Sequence, residues 1–439
     1  MKIFGTVLLL ASASWLNLPA AEATNPVVVS SELVNRLLEQ GLTNNPALRA
    51  AGSRVRAADA NLGSVRTWED PTALFGGSVY SDKGFKPEED GNLAYGIEQK
   101  LPLWGRPKLN RGVAEAGLSM RRAEADLRVQ QFRRDLMREL LLTALAARVV
   151  EIGEQDLAWL EATAKTTENR YRAGQAVVAD TLQVQNEVAR RNDMLQTDRR
   201  RLGHEHLTLN RLLNRGVASP WPPLQLPDVA PNVPFSQKLL TLALGSEPRL
   251  RVMEQEIKQA EAAAQLARNL RLPDLGLGVE GRQYTGDGDF RSGMFTLRFS
   301  LPWGNAGKYR KEYEREKERQ KAAEEEREDQ TLTVREELHH LTVEIEARGR
   351  EALLHRDEIT TRAQQALSSR LADWETGRGT FRDVLDARRM LLESQLLSAR
   401  AVAEQRQAIA ELLLWSGLET AESLTPLTTE PSITPEHEH

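Results

Sequence analysis

Leu37–Ala50 reads LLEQGLTNNPALRA, and Leu239–Val252 reads LLTLALGSEPRLRV, which sets Pro46 against Pro248 (248 − 46 = 202). Working outward, Pro71 meets Pro273 at the same offset, LPLWG at Leu101–Gly105 returns as LPWG at Leu301–Gly304, and GQAVVADTL after Ala173 returns as GRGTFRDVL after Thr376. A unit this long is no solenoid repeat, which spans ~20–50 residues. The chain is two halves built to one plan, so the molecule is pseudo-symmetric.

Each half holds one long proline-free interval, between Pro107 and Pro220 and between Pro302 and Pro426, rich in the helix-favouring residues Ala, Leu, Glu, Arg and Gln. Glycine breaks each interval once, at Gly174 and at Gly377 with Gly379, so each reads as a helical hairpin, over 106–214 and 305–416. The first arm, Lys108–Arg172, would reach ~100 Å at 1.5 Å per residue. Leu136, Leu140, Thr143, Ala147 and Val150 recur at the three- and four-residue steps of a packed helix face. Shorter helices are expected over Ser31–Gly41 and Ser236–Gly245, with others opening at Pro46 and Pro248. Six prolines in Ser219–Pro234 mark the linker between halves.

Between the helices lie strand-like stretches with two-residue periodicity, about 72–80, 92–101, 275–284 and 292–301. Leu275, Leu277 and Val279 alternate with Gly276, Gly278 and Glu280, while Phe295, Leu297 and Phe299 alternate with Thr296, Arg298 and Ser300. Strands of ~9–11 residues that are apolar on one face suit a bilayer crossing. A half-buried sheet of a soluble domain alternates in the same way. In a membrane, Leu277, Val279, Leu297 and Phe299 would face lipid, and Glu98, Glu280, Arg282 and Arg298 a lumen. Four strands cannot close a barrel whose small end is ~8, and open edges in lipid leave backbone groups unpaired, so several chains must share it. Two copies would give eight strands and three would give twelve.

The amino terminus has the pattern of a secretory signal peptide over residues 1–23: Lys2, an apolar run to Leu18, then Ala21 and Ala23 before the cleavage site. No cysteine occurs, which excludes disulfides, thiolate metal sites, a cysteine nucleophile and a lipid anchor on cysteine. A net charge of −5 argues against nucleic-acid binding. No nucleophile triad, phosphate loop or dinucleotide fingerprint stands in a suitable context, so no catalytic residue and no cofactor is expected. His204 with His206 and His339 with His340 lack the four-residue spacing of a zinc helix, and the tail Pro435–His439, which could hold a metal, reads rather as a flexible end, so no metal site is expected.

NPAL and EPRL opening the second helix of each half, LPLWG and LPWG at the strand-to-helix return, and the tips RAGQAVVADTL and TGRGTFRDVL together resemble the TolC family of outer-membrane efflux ducts. EDPTALFGGSVY followed by GIEQKLPLWGRPKLNRGVAEA is most similar to the heavy-metal, CzcC-like branch. The resemblance implies a mainly α fold with a small β part. Duplicated helical hairpins would form a periplasmic α-barrel, and four strands per chain would join a homotrimeric twelve-stranded barrel in outer-membrane lipid of a Gram-negative bacterium. It divides the chain into a first repeat (24–219), a linker (220–234), a second repeat (235–418) and a tail (419–439). It further implies a periplasmic adaptor protein and a proton-driven inner-membrane pump of the RND type as partners, with heavy-metal ions as cargo. A drug-efflux duct and a soluble periplasmic coiled-coil scaffold are the alternative readings.

By the same resemblance the tunnel mouth lies at the hairpin tips, Gly174 and Gly377, where an adaptor would also dock. Aligning the tips on those glycines sets Arg170 against Asp373 and Arg172 against Glu375, opposite charges that would pair between neighbouring tips of six alternating hairpins in a trimer to hold the mouth closed; unrelated solvated tip charges are the alternative reading. Asp180 and Asp383, six residues after each glycine, are candidates either for the adaptor contact or as caps of the returning helices.

Overall fold

The computed structural model describes residues 26–79, 91–285, 288–428 and 431. The expected signal peptide (1–23), Tyr80 with most of the first hairpin loop, and the His-containing tail end lie outside them. Each half runs two short helices, a strand hairpin and a long helical hairpin. The first contains α1 (Ser31–Asn44), α2 (Pro46–Ser64), β2 (Thr72–Val79), β3 (Gly91–Lys100), α3 (Arg106–Arg172) and α4 (Val178–Leu212), after a two-residue β1 (Val27–Val28). After β4 (Leu224–Gln225), the second contains α5 (Gln237–Ser246), α6 (Pro248–Asn269), β5 (Leu275–Tyr284), β6 (Phe290–Phe299), α7 (Ala306–Leu353), α8 (Thr360–Glu375) and α9 (Phe381–Ser416).

The repeated Pro46 and Pro248 open α2 and α6, where a missing N–H costs nothing. The residue before each proline caps the helix. Asn45 Oδ1 accepts from the N–H groups of Ala47 and Leu48 at 2.8 and 3.2 Å, and the Glu247 carboxylate accepts from that of Leu250. Gly41, expected to stop the first helix, lies inside α1 instead. It lets α1 approach α3: a Cβ there would stand 2.3 Å from the Phe132 ring. Its glycine is a packing requirement rather than a helix stop, because Asn45 already ends the helix.

The α3 helix has 67 residues, ~100 Å of rise. Its counterpart is interrupted by a π-helical turn at Leu354–Ile359 between α7 and α8, which the sequence reading did not foresee. From Trp104 to Gly174 is 70 residues (174 − 104), whereas from Trp303 to Gly377 is 74 (377 − 303). A π turn takes up about one extra residue while keeping the helix continuous, so the rest of the difference is added helix length.

Three apolar cores result among the described residues. Leu37, Leu48, Phe132, Leu136, Leu140 and Leu209 form one in the first half, and Leu239, Leu250, Leu338, Ile345, Ile409 and Leu412 its counterpart in the second. The third lies toward the tips and joins the hairpins, with Leu160 and Val184 from the first and Leu367, Trp374, Phe381 and Leu391 from the second. Each fully buried Leu in these cores contributes ~1.5–3 kcal/mol. The proline-rich linker is more than a tether. Its β4 pairs in parallel with β1, and the buried Gln405 amide brackets Ala230, accepting from its N–H at 2.8 Å and donating to its C=O at 3.0 Å.

Candidate channel wall and tunnel mouth

The four long strands form one sheet in the order β2-β3-β5-β6, antiparallel throughout. The fourth strand begins at Phe290, two residues before the expected start, and ends at Phe299. A register irregularity at Arg282/Gln283 brings Phe290 opposite Gln283. Beyond Phe299, Ser300 pairs with Asp274 outside the strand, and Pro302 carries no N–H to extend the ladder.

The register separates two faces. Val279 lies between Ile97 and Phe295, and Leu277 pairs with Leu297, so Phe75, Ile97, Val279, Phe295, Leu297 and Phe299 share one face and all are exposed on the isolated chain. The other face carries Glu98, Glu280, Arg282 and Arg298, the four residues expected to line a lumen. Arg298 Nη1 reaches Glu98 Oε2 at 2.7 Å across β5, and Arg282 Nε meets Glu280 Oε1 at 3.1 Å. Gly276 leaves room for the first pair, since a Cβ there would crowd Glu98 Oε1 at 3.0 Å. At the root of the sheet the indole N–H of Trp104 donates to Pro273 O at 2.7 Å, and the Arg106 guanidinium pairs with Asp274. The repeated Pro273 and Trp104 thus tie the two halves together.

Both tips turn the same way. Gly174 and Gly377 take φ of +74° and +73°, where glycine carries no Cβ penalty. The Gln175 N–H donates to Arg170 O and the Arg378 N–H to Asp373 O, both at 2.8 Å, the long bond of a Schellman C-cap. The structural equivalence of Arg170 with Asp373 therefore holds.

Their side chains behave differently from the expected opposed charges. Within one chain the Arg170 guanidinium lies 4.5 Å from the Trp374 ring centroid and donates to Trp374 O at 3.4 Å and Glu375 O at 3.3 Å, at the carbonyl end of α8. Arg172 pairs with Glu168 one turn back, and Asp373 with Arg378 at 3.7 Å. The Glu375 carboxylate has no ion pair among the described residues.

Asp383 does cap its helix. Thr380 and Asp383 form a reciprocal capping box, with the Thr380 Oγ1 donating at 2.8 Å and holding the Asp383 carboxyl below the usual range. Asp180 does not, because α4 opens on Val177 without a side-chain cap, and burial pushes the Asp180 carboxyl up. The reason is the residue three positions earlier, a threonine in one tip and a valine in the other.

The family model described as outer membrane efflux protein matches residues 37–215 and 239–418, the two halves separately. The chain belongs to that family. The outer-membrane channel OprN is similar in structure at a TM-score of 0.77 and 20% identity, covering 88% of this chain and 90% of that one. VceC of Vibrio cholerae (0.74, 17%, 88% and 96%) and the outer membrane channel CmeC of Campylobacter jejuni (0.75, 13%, 94% and 94%) share the fold as well. No curated protein matches the sequence.

This protein is accordingly an outer membrane efflux protein rather than an enzyme. No helix among its described residues is long and apolar enough to cross a membrane. Two arrangements in the helical hairpins escaped the sequence reading, the Trp374–Phe381 ring contact at 5.2 Å and a buried charge cluster around Asp156. Trp374 sits between Asp373 and Glu375 in sequence, so its burial was hidden among charges.

Proposed function

We propose that three copies of this efflux protein close a twelve-stranded barrel in the outer membrane and extend their helices into the periplasm as a passive duct. One observation carries the reading: among the described residues β2 and β6 are each paired on one side only, at opposite edges of a sheet with one greasy face. In lipid each unpaired backbone group costs several kcal/mol, so the edges must find partners in other copies. Because direction alternates along the sheet, β6 of one subunit meets β2 of the next antiparallel. Eight strands would be filled by their own side chains, whereas twelve leave room for the Glu98–Arg298 layer and a passage. The partners are a periplasmic adaptor and an inner-membrane pump of the RND type, and the cargo, on the resemblance of the strand region to the CzcC-like branch, is heavy-metal ions.

Native mass measurement in detergent should give a trimer, and a stable dimer would refute the barrel. Deleting the gene should raise sensitivity to zinc, cobalt or cadmium salts. Sensitivity to organic drugs alone would replace the metal cargo with the drug-duct reading while leaving the trimer standing. At the mouth, Glu375 is the tip carboxylate left to pair between subunits, and replacing it with Ala should raise single-channel conductance.

A further inference from the structure

About five helical turns from the first tip, Asp156 of α3 is 5% exposed at its side chain and receives two arginines. Arg388 Nε of α9 donates to Oδ1 at 2.7 Å, and Arg191 Nε of α4 lies 3.5 Å from Oδ2. Arg191 is itself 6% exposed, and its Nη2 is buried with no hydrogen-bond partner. Gly153 admits it, since a Cβ there would stand 2.6 Å from that Nη2. The Arg388 guanidinium is held further by the face of Trp159, 4.9 Å away. Two cations, Arg191 buried and Arg388 half-buried, thus share one buried carboxylate; Arg191 Nε also donates to Gly153 O at 3.4 Å, and its Nη2 is left over.

A structural ion pair needs only one of these arginines. Burying a second without full compensation costs several kcal/mol unless something neutralises it. The cluster lines a cavity of about 180 Å³ between α4 and α9 that also includes Glu187, Arg190 and Arg389. Glu187 is taken up by Arg389 and, at 3.7 Å, by Arg190, and Asp386 outside the cavity takes the other face of Arg389 at 3.3 Å. Four arginines therefore face three carboxylates, and the excess positive charge sits at the buried end.

We infer that this cavity binds a small oxyanion, which completes the charge of Arg191 and Arg388 and links the first helical hairpin to the second. The same chemistry is supplied by a free inorganic anion or by a carboxylate that a partner protein inserts. The site depends on neither the trimer nor the cargo.

Inorganic phosphate, and separately acetate, is titrated calorimetrically into the purified full chain in detergent at constant ionic strength. Saturable phosphate binding is expected, weakened about tenfold or more in Arg191→Gln and Arg388→Gln, the loss of a charge-assisted hydrogen bond. It should be unchanged in Arg172→Gln, whose side chain is exposed at the tip. Competition by acetate would mark carboxylates as ligands and favour a partner side chain as the source, while phosphate binding without it would favour a free anion. Should the buried variants fail to fold, the exposed Arg389→Gln and Arg190→Gln should still weaken binding. Absence of saturable binding by either anion, or folded variants that all bind as the parent does, would overturn the site.

Discussion

Replacing Val279 with Arg tests the assignment of the two sheet faces at one point. Val279 stands fifth in the ten-residue β5, flanked by Ile97 and Phe295, and is 58% exposed on the isolated chain. If that face meets lipid, position 279 is near the bilayer midplane, where Arg costs ~2–4 kcal/mol. Three copies in one barrel raise this to ~6–12 kcal/mol per assembly, a large share of the ~5–15 kcal/mol that holds an ordinary folded domain. The comparison is Met294→Arg on the opposite face, which pairs with Glu280 and gains a nearby carboxylate. The assay is insertion into liposomes followed by urea titration, with heat-modifiable migration as the readout of the folded barrel. Val279→Arg should fail to insert or unfold at much lower urea, while Met294→Arg should insert nearly as the parent does. Equal behaviour of the two variants, or the reverse order, would refute the assignment of the faces.

Further outcomes follow from local geometry. Gly41→Ala should lose ~1–3 kcal/mol by overpacking against Phe132. Gly52→Ala in α2, where a Cβ meets only the end of Arg56, should be neutral or stabilising, and chemical denaturation of both variants checks the contrast. A double-mutant cycle of Arg170→Ala and Trp374→Ala should show coupling of ~0.5–1 kcal/mol in tip proteolysis, whereas strict additivity would deny the stacked contact. Burial and the Glu205 carboxyl across the α3–α4 seam raise the Glu139 carboxyl to about 7. Between its ordinary value near ~4.3 and 7 the folded state then holds more protons than the unfolded one, so this group's contribution falls as pH rises and its cost is full above 7. Glu139→Gln should therefore melt higher than the parent near ~pH 8 and lose that advantage on acidification toward ~pH 4, and a difference that grew on acidification would be the wrong sign.

The sequence by itself determined the duplication, the two helical hairpins, their turning points and the sheet faces, because these depend on local chemistry. Pro46 and Pro248 open helices wherever they stand, Gly174 and Gly377 supply the left-handed turn, and alternation fixes which side a strand residue takes. The motif order LPLWG to LPWG and tip to tip carried the family. What only the tertiary structure decided are contacts between residues far apart in the chain. Gly41 looks like a helix stop until Phe132 is seen against it, and Arg170 looks like a free gate charge until the end of α8 and Trp374 lie beneath it. Asp156, Arg191 and Arg388 come from three helices, and nothing in their separate segments marks them as one buried cluster. Burial sets the energy of a charge, and burial is a property of the packed fold rather than of any window of sequence.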